Sequence, residues 1–379
     1  MNTRAAIIAA ALIGVAALLS SACSASPADN DIVLNLEPTK ANPRNSEGAF
    51  ITLKSGRVLF FYTRFEGGAA DESPAHIASI QSEDNGRTWS KEPRVVVENK
   101  AGANVMSVSL LRLHSGRIAL FYLVKNSLLD CRPVVRFSDD EAEHWSEPSL
   151  ITDAPGYFVL NNDRVIQLKS GRLMMALGFH RGRGADPRSY NSWDGRAITL
   201  WYLSDDDGKS WREADDWWAL PVRSRTGLQE PGVVELEDGR IFSWMRTDQG
   251  AQYGCYSADQ GKHWPLPGRT VLECPEAPAS IKRLPGSASL LAVYNDHSGR
   301  FPFPKPNRSP LVAAISPDGG KTWPVRKALE TEPNACFCYT AIHFTSDSVL
   351  LAYCAGDPKV GGLSRLRIRR VQTSWLKGE

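Results

Sequence analysis

The phrase Ser-x-Asp-x-Gly-x-x-Trp recurs along this chain, and it constrains the fold more than any other feature. It reads Ser82-Glu83-Asp84-Asn85-Gly86-Arg87-Thr88-Trp89 and returns at Ser204/Asp206/Gly208/Trp211, Ser257/Asp259/Gly261/Trp264 and Ser316/Asp318/Gly320/Trp323, with a degraded copy at Ser138/Asp140/Ala142/Trp145. Successive copies start 53 to 66 residues apart. Self-similarity at such a period marks an array of similar supersecondary units in place of one irregular core. The residue types inside the box have mechanical reasons: Asp accepts hydrogen bonds from the turn backbone, Gly supplies a positive φ, and Trp covers the hairpin with apolar surface. The box is therefore structural, and its aspartates are not candidates for catalysis.

A second phrase fills in the unit. Turns of the form Ser/Asp-Gly-Arg occur at Ser55-Gly56-Arg57, Ser115-Gly116-Arg117, Ser170-Gly171-Arg172 and Asp238-Gly239-Arg240, with looser copies at Pro285-Gly286-Ser287 and Ser346-Asp347-Ser348. Each is flanked by β-type runs such as Ala49-Phe50-Ile51-Thr52-Leu53 and Val58-Leu59-Phe60-Phe61-Tyr62, which read as a hairpin. A further apolar segment leads into each box, so each unit holds four strands. Six such sheets around an axis predict an all-β fold, a six-bladed β-propeller with four-stranded antiparallel blades, in which repetition manages the sheet edges. The sixth unit lacks a box, and its segment 365–371 is expected to pair with the opening strand 32–36 and close the ring. An open sandwich or β-helix is the alternative.

At 379 residues a repeat fold of this kind is one domain, residues 32–379. Arg4, the apolar run Ala5 to Leu19 and the small residues Ser20, Ser21 and Ala22 read as a secretory signal over residues 1–22, followed by a short linker over 23–31. Small residues running into a cysteine resemble a bacterial lipoprotein cleavage site, with Cys23 as the lipidated first residue; ordinary cleavage near Ala22 is the alternative. The chain is expected to be exported, held to a membrane only through that anchor, or else secreted. A net charge of +2 without long runs of one sign excludes the electrostatic footprint of a nucleic-acid binder. The six remaining cysteines have no metal-ligand spacing and are expected to be mostly free and buried.

Strand direction then locates the functional face. Strands in a blade alternate, so both repeated phrases lie on one face, and the starts of first strands and ends of second strands lie on the other. Counting back from each turn places Glu47, Ser107, Asn162, Glu230, Ala277 and Tyr339 at the starts of the innermost strands. Second-strand ends add Arg64, Asn126, His180, Arg246 and the run Asn295-Asp296-His297. Polar residues converging there point to a funnel with a chemical task.

Here the chain resembles the sialidase (neuraminidase) superfamily, whose members carry the Ser-x-Asp-x-Gly-x-x-Trp box. Gln229-Glu230-Pro231-Gly232-Val233-Val234-Glu235-Leu236 is similar to the strand that bears the family's catalytic glutamate, and Cys338-Tyr339-Thr340-Ala341-Ile342 to the segment with its nucleophilic tyrosine. The resemblance implies Tyr339 as nucleophile, activated by Glu230. For an acidic sugar the pairing makes physical sense, because a neutral phenol is not repelled by the substrate carboxylate beside the anomeric carbon. The family clamps that carboxylate with three arginines. Here Arg308 falls close to one position, while Glu47 and Gln252 stand where the others are expected; Arg44, Arg246 and Arg164 are the remaining candidates, with Glu47, Asn162 and His180 as further pocket residues. The general acid/base is Asp71, in the glycine-rich loop 67–73, or His76. The implied activity is exo-hydrolysis of a terminal sialic acid or related acidic sugar with retention. The alternatives are a propeller glycosidase or lyase acting on another sugar, and a non-catalytic glycan-binding propeller. No metal or cofactor is required; the expected partner is a glycan or glycoconjugate, and the chain is expected to be a monomer.

Overall fold

In the computed structural model, residues 30–302 and 308–377 are described; the signal segment 1–22, Cys23 and most of the linker lie outside them. The described chain is built from strands, apart from one short α-helix and one 3-10 turn. Four sheets have four strands each and one has nine. The nine-stranded sheet is two blades joined by a short parallel bridge between Tyr157 and Cys131. Six blades therefore stand in chain order, each running from an inner strand outward.

The first blade is Arg44–Thr52, Val58–Phe65, Ala75–Ser82 and Arg94–Val97, paired antiparallel in that order. The last blade is Cys336–Phe344, Ser348–Gly356 and Leu366–Gln372, and its outer strand comes from the other end of the chain: Asn30–Leu36 pairs antiparallel with Leu366–Gln372. That closure is the one expected from the sequence, with the opening strand starting two residues earlier, at Asn30. The Ser/Asp-Gly-Arg turns owe their tightness to glycines at positive φ, such as Gly56 at 88° and Gly171 at 93°.

The boxes share their Ser and Asp contacts. In the first, Ser82 Oγ accepts from the Gly86 amide at 2.8 Å, Asp84 Oδ1 accepts from the Thr88 amide at 2.8 Å, and Trp89 Nε1 donates to the Gly86 carbonyl at 3.2 Å. The degraded copy keeps the geometry: Ala142, where the others have Gly, sits at φ 71° and still donates to Ser138 Oγ at 2.9 Å. The box tryptophans do more than cover their own hairpins. Trp145 meets Phe61, Trp211 meets Phe121 and Trp264 stacks on Trp201, each reaching the preceding blade. A Cβ on Gly261 would approach the Met174 side-chain end of that preceding blade to 2.5 Å, so that side chain would have to move to admit one. Boxes thus seal the seams between blades on the face opposite the funnel.

Trp264 and Trp201 are almost wholly buried, with ring centroids 4.3 Å apart. Trp264→Ala is expected to cost about 3–5 kcal/mol, the usual range for a buried aromatic, read as a lower midpoint in urea unfolding; a shift equivalent to under about 1 kcal/mol would show that this seam carries little.

Candidate active site

The site begins with an irregularity of the inner strands. In four blades the register between first and second strands slips, at Ser46/Ala49, Met106/Ser109, Gln229/Gly232 and Cys338/Ala341. These are β-bulges, and the extra residue in each is held at positive φ: Glu47 at 48°, Ser107 at 61°, Glu230 at 47° and Tyr339 at 58°. Such a bulge turns a side chain out of the ladder and toward the axis. In the third blade the inner strand is split into Tyr157–Val159 and Ile166–Gln167, and Asp163, at φ 58°, takes the corresponding place. In the fifth blade the first two strands, Ser280–Arg283 and Leu290–Asn295, pair without a register slip, and Ala277 is buried before them.

All four bulge residues line one cavity of about 530 Å³: Glu47, Ser107, Glu230 and Tyr339. The Tyr339 hydroxyl donates to Glu230 Oε1 at 3.0 Å, and Arg246 Nη1 lies 2.8 Å from the same oxygen. Arg246 also bonds Glu276 at 3.1 Å. Arg308 places its guanidinium carbon 5.6 Å from the centre of the Tyr339 ring and donates to Cys338 Sγ at 3.2 Å. Burial first, and then the Glu230 charge, push the Tyr339 phenol well above its ordinary pKa, while Arg308 and Arg246 pull it back. The phenol is therefore protonated at rest.

Beside this pair lies a second charge group. Arg44 is fully buried, donating to Asp71 Oδ1 at 2.5 Å and to Glu47 Oε1 at 3.2 Å, and its guanidinium covers the Phe65 ring at 4.4 Å. Glu47 also accepts from the Ser107 hydroxyl. Burial raises Asp71, but the Arg44 ion pair, with Lys125 and Arg308 behind it, wins and holds the carboxyl below its usual value. The glycine-rich loop that carries Asp71 is tied down: Asn104 Nδ2 donates to the Asp71 and Ser73 carbonyls and Lys125 Nζ to that of Asp71. An aromatic wall completes the cavity. His180 stacks on Trp193 at 4.5 Å and meets Tyr157 edge-on at 5.8 Å. Its Nδ1 faces the Asp194 carbonyl at 2.9 Å, so Nδ1 carries the proton, and burial pushes the ring down to about 4, leaving it neutral.

Several sequence expectations are corrected. His76 does not reach the cavity; it lies on Ala75–Ser82 opposite Arg64, with Nδ1 3.2 Å from Glu66. Arg164 is buried beneath it, donating to the Ala279 carbonyl at 2.7 Å and to Ser280. Asn162 is an axial strut whose Nδ2 donates to the carbonyls of Gly48 and Tyr339; its neighbour Asn161 is the one that lines the cavity. Gln252 is buried and donates to the Ala277 carbonyl and Cys274 Sγ, away from the cavity; Arg246 supplies the cation in that blade. Of the four candidate arginines, Arg246 and Arg308 line the cavity and Arg44 stands behind Glu47 and Asp71. Sequence reasoning missed Lys125, Glu276, Tyr190 and the Tyr157/Trp193 wall. Lys125 is next to Asn126 at a second-strand end and was within reach of the strand-direction argument. Tyr190 sits in an insertion and carried no signal. Among the described residues no group of three or more His, Cys, Asp or Glu is placed to hold a metal ion.

A propeller with box-sealed seams and a polar funnel on the opposite face defines the class of sialidase-fold propellers. The chain belongs to the BNR repeat-like domain family, whose profile matches residues 91–351. Its fold is similar to that of a Hadza microbial sialidase, Hz136, with TM-score 0.69 and 21% identity over 89% of this chain and 67% of that one. It is also similar to the intramolecular trans-sialidase from Ruminococcus gnavus, with TM-score 0.68 and 14% identity over 91% and 98% of the two chains. A protein of unknown function from Dyadobacter fermentans matches with TM-score 0.69 and 16% identity over 91% of this chain and all of that one. At these identities the likeness is one of fold. No curated protein sequence matches the chain.

Glu47 yields a test of this electrostatic picture. Burial, with Asp71 and Glu230 nearby, raises its carboxyl from 4.5 to about 7 against the pull of Arg44 and Ser107. The folded state then binds more protons than the unfolded chain between those values. The stability this contributes is full below about 4.5 and lost as pH rises through about 7. Melting temperatures across that window should therefore show wild type losing stability with rising pH relative to Glu47→Gln. Parallel curves would contradict the assignment.

Proposed function

We propose that this protein is an exported glycoside hydrolase of the sialidase type, which removes a terminal sialic acid or a related acidic sugar with retention of configuration. The observation that carries the proposal is the Tyr339 hydroxyl donating to Glu230 Oε1, with Arg246 and Arg308 beside the pair in one cavity. As the Tyr339 oxygen attacks the anomeric carbon, Glu230 takes its proton, and the two guanidinium groups stabilise the charge that develops. The nucleophile is neutral before reaction, which suits a substrate whose own carboxylate adjoins the reacting carbon.

Asp71 is the general acid/base in this mechanism. Arg44 holds it ionised, and a substrate filling the cavity strips water from around it. In that desolvated setting its pKa rises, so it takes up a proton from solvent, passes it to the leaving oxygen, and then activates the water that hydrolyses the tyrosyl intermediate. Arg246 and Arg308 together supply the carboxylate clamp, with Arg44 positioning Asp71 behind them, and His180, a neutral ring at the aromatic wall, contacts the sugar.

A second reading keeps the enzyme and changes the sugar. Arg44 is engaged by two carboxylates, Glu47 and Asp71, and Arg246 by two more, Glu230 and Glu276, so less positive charge is left for an anionic substrate. A panel of chromogenic sialosides, uronides and neutral glycosides separates the readings. Release from sialosides is expected; release from a neutral glycoside alone would replace the sialidase assignment, and saturable glycan binding without product would make the propeller a binding module. Tyr339→Phe is expected to abolish turnover with an unchanged melting temperature, and Glu230→Gln to slow it by about 10²–10⁴-fold, the usual weight of general-base help.

The leader over residues 1–22 supports export, and Cys23 is the residue that would bear the lipid. No helix among the described residues is long and apolar enough to cross a membrane. An acylated terminus would instead anchor a monomeric propeller to the surface. Expressed with its leader in a bacterium, Cys23→Ser should move the protein from the membrane fraction to the soluble one; an unchanged distribution would remove the anchor.

A further inference from the structure

Three of the six described cysteines meet behind Tyr339. Cys336 and Cys338 lie two residues apart on Cys336–Phe344 and so share one face of that strand. Cys354, on Ser348–Gly356, stands directly opposite Cys338 in the antiparallel register. Opposed residues in such a pair have Cα atoms about 4.5–5.5 Å apart, inside the span of about 4.4–6.8 Å that a disulfide bridges. Cys336, about 6.6 Å along the strand from Cys338, is the less suitable partner. All six described cysteines are free thiols, and Cys338 and Cys354 are buried while Cys336 is half-exposed.

The neighbours of the pair give it reactivity and a link to the cavity. Arg308 Nη1 donates to Cys338 Sγ at 3.2 Å, and the Ser46 hydroxyl lies 3.2 Å from Cys354 Sγ. Burial would push the Cys338 thiol up, yet the thiols of Cys336 and Cys354 and the Arg308 guanidinium outweigh it and hold the group well below its ordinary value. Cys338 is thus the more nucleophilic member, and its sulfur accepts a hydrogen bond from an arginine that lines the pocket.

We propose that Cys338 and Cys354 form a redox-active thiol pair that closes to a disulfide and thereby sets how much charge Arg308 presents to the pocket. With hydrogen peroxide as oxidant, the Cys338 thiolate attacks one peroxide oxygen, the O–O bond breaks and hydroxide leaves, giving a sulfenic acid. The Cys354 sulfur then attacks the sulfenic sulfur, the S–O bond breaks, and the hydroxyl leaves with the Cys354 proton as water. Two thiols lose two electrons and two protons in all, and peroxide becomes two waters. A bridged sulfur is a much weaker acceptor, so oxidation releases Arg308 from its contact with Cys338 and leaves the guanidinium to an anionic ligand. This last consequence rests on the acidic-sugar reading above; the bridge itself does not.

Peptide mapping of the full chain without reductant, before and after peroxide, is the direct test. A Cys338–Cys354 cross-linked peptide lacking two hydrogens is expected in wild type and in Cys336→Ser, and not in Cys354→Ser. Persistence of both as alkylatable thiols, or a bridge to Cys336 instead, would overturn the pair. Calorimetry with free N-acetylneuraminic acid reads the coupling: the Kd is expected to be several-fold lower in oxidised than in reduced wild type, and insensitive to peroxide in Cys338→Ser. An unchanged Kd in a protein whose bridge has formed would refute the link to Arg308. Binding in neither form would refute the acidic-sugar reading, while the mapped peptide would still establish the pair.

Discussion

Everything at the funnel depends on a backbone conformation that strands avoid. Glu47, Ser107, Glu230 and Tyr339 each sit at positive φ in a bulge, and Asp163 does so in the split inner strand. A non-glycine residue held there costs on the order of 1–3 kcal/mol and persists only where its surroundings over-determine it. The surroundings here are polar and cross the axis. Asn162 donates to the carbonyls of Gly48 and Tyr339, immediately after and at two of the bulges. Asp163 accepts from the Ile342 amide and pairs with Lys282, which in turn donates to the Ile342 carbonyl. Ser280 donates to the Thr340 carbonyl at 2.5 Å. The blades are thus joined at the centre by hydrogen bonds to the very backbone groups that the bulges take out of the ladders.

The same bulges bring like charges together. Glu47, Glu230 and Asp71 share a cavity with Arg246 and Arg308, and Arg44 stands behind them. Taking ions out of water costs several kcal/mol each, and their mutual attraction repays this only with good geometry and further hydrogen bonds. Geometry here is good but incomplete: Glu230 Oε2 and Arg246 Nε are buried without a hydrogen-bond partner among the described residues. A structural ion-pair network need not leave such atoms open. The network around Glu330 in the last seam, where one oxygen accepts from Arg367, Arg369 and Tyr353, is the contrasting case. There the charges are spent on holding blades together; at the funnel they remain partly unspent.

How much of this was legible in the sequence follows from what periodicity can report. Box and turn repeats specify strand count, blade order and, through strand direction, the face on which Glu230 and Tyr339 meet. Counting back from each turn works wherever the inner strand is continuous up to its bulge, as for Glu47, Ser107, Glu230 and Tyr339. It slips by one in the third blade, where the strand is interrupted and Asp163 takes the place assigned to Asn162. It has no meaning in the fifth, whose first two strands pair without a register slip. Side-chain reach is invisible to such counting. Arg44 lies three residues before the bulge, yet its long side chain folds back to Glu47 and Asp71, while Arg164, one residue from Asp163, runs under the floor to Ala279. Asp71 lies in the connection just before the strand that carries His76, and the Asn104 and Lys125 side chains, donating to the Asp71 carbonyl, hold that connection at the cavity.

The irregular third blade also accounts for the two-sided character of the cavity. Because its inner strand is split, the upper piece Tyr157–Val159 pairs with Gly178–His180 on one side and, through Tyr157, with Cys131 of the second blade on the other. That bridge closes the seam between second and third blades on the funnel face, as the boxes close seams on the opposite face. It also sets Tyr157 against Lys125, whose ammonium lies 5.5 Å from the ring centre, donates to the Asp71 carbonyl and pairs with Glu72 at 3.8 Å. An apolar, aromatic wall of Tyr157, Trp193 and neutral His180 therefore stands against the charged wall built by the bulges of the other blades. Under the proposed function, one wall would meet the uncharged part of the sugar and the other its anionic or reacting part. The loss of a regular strand in one blade is the structural means by which both walls fit into a single ring.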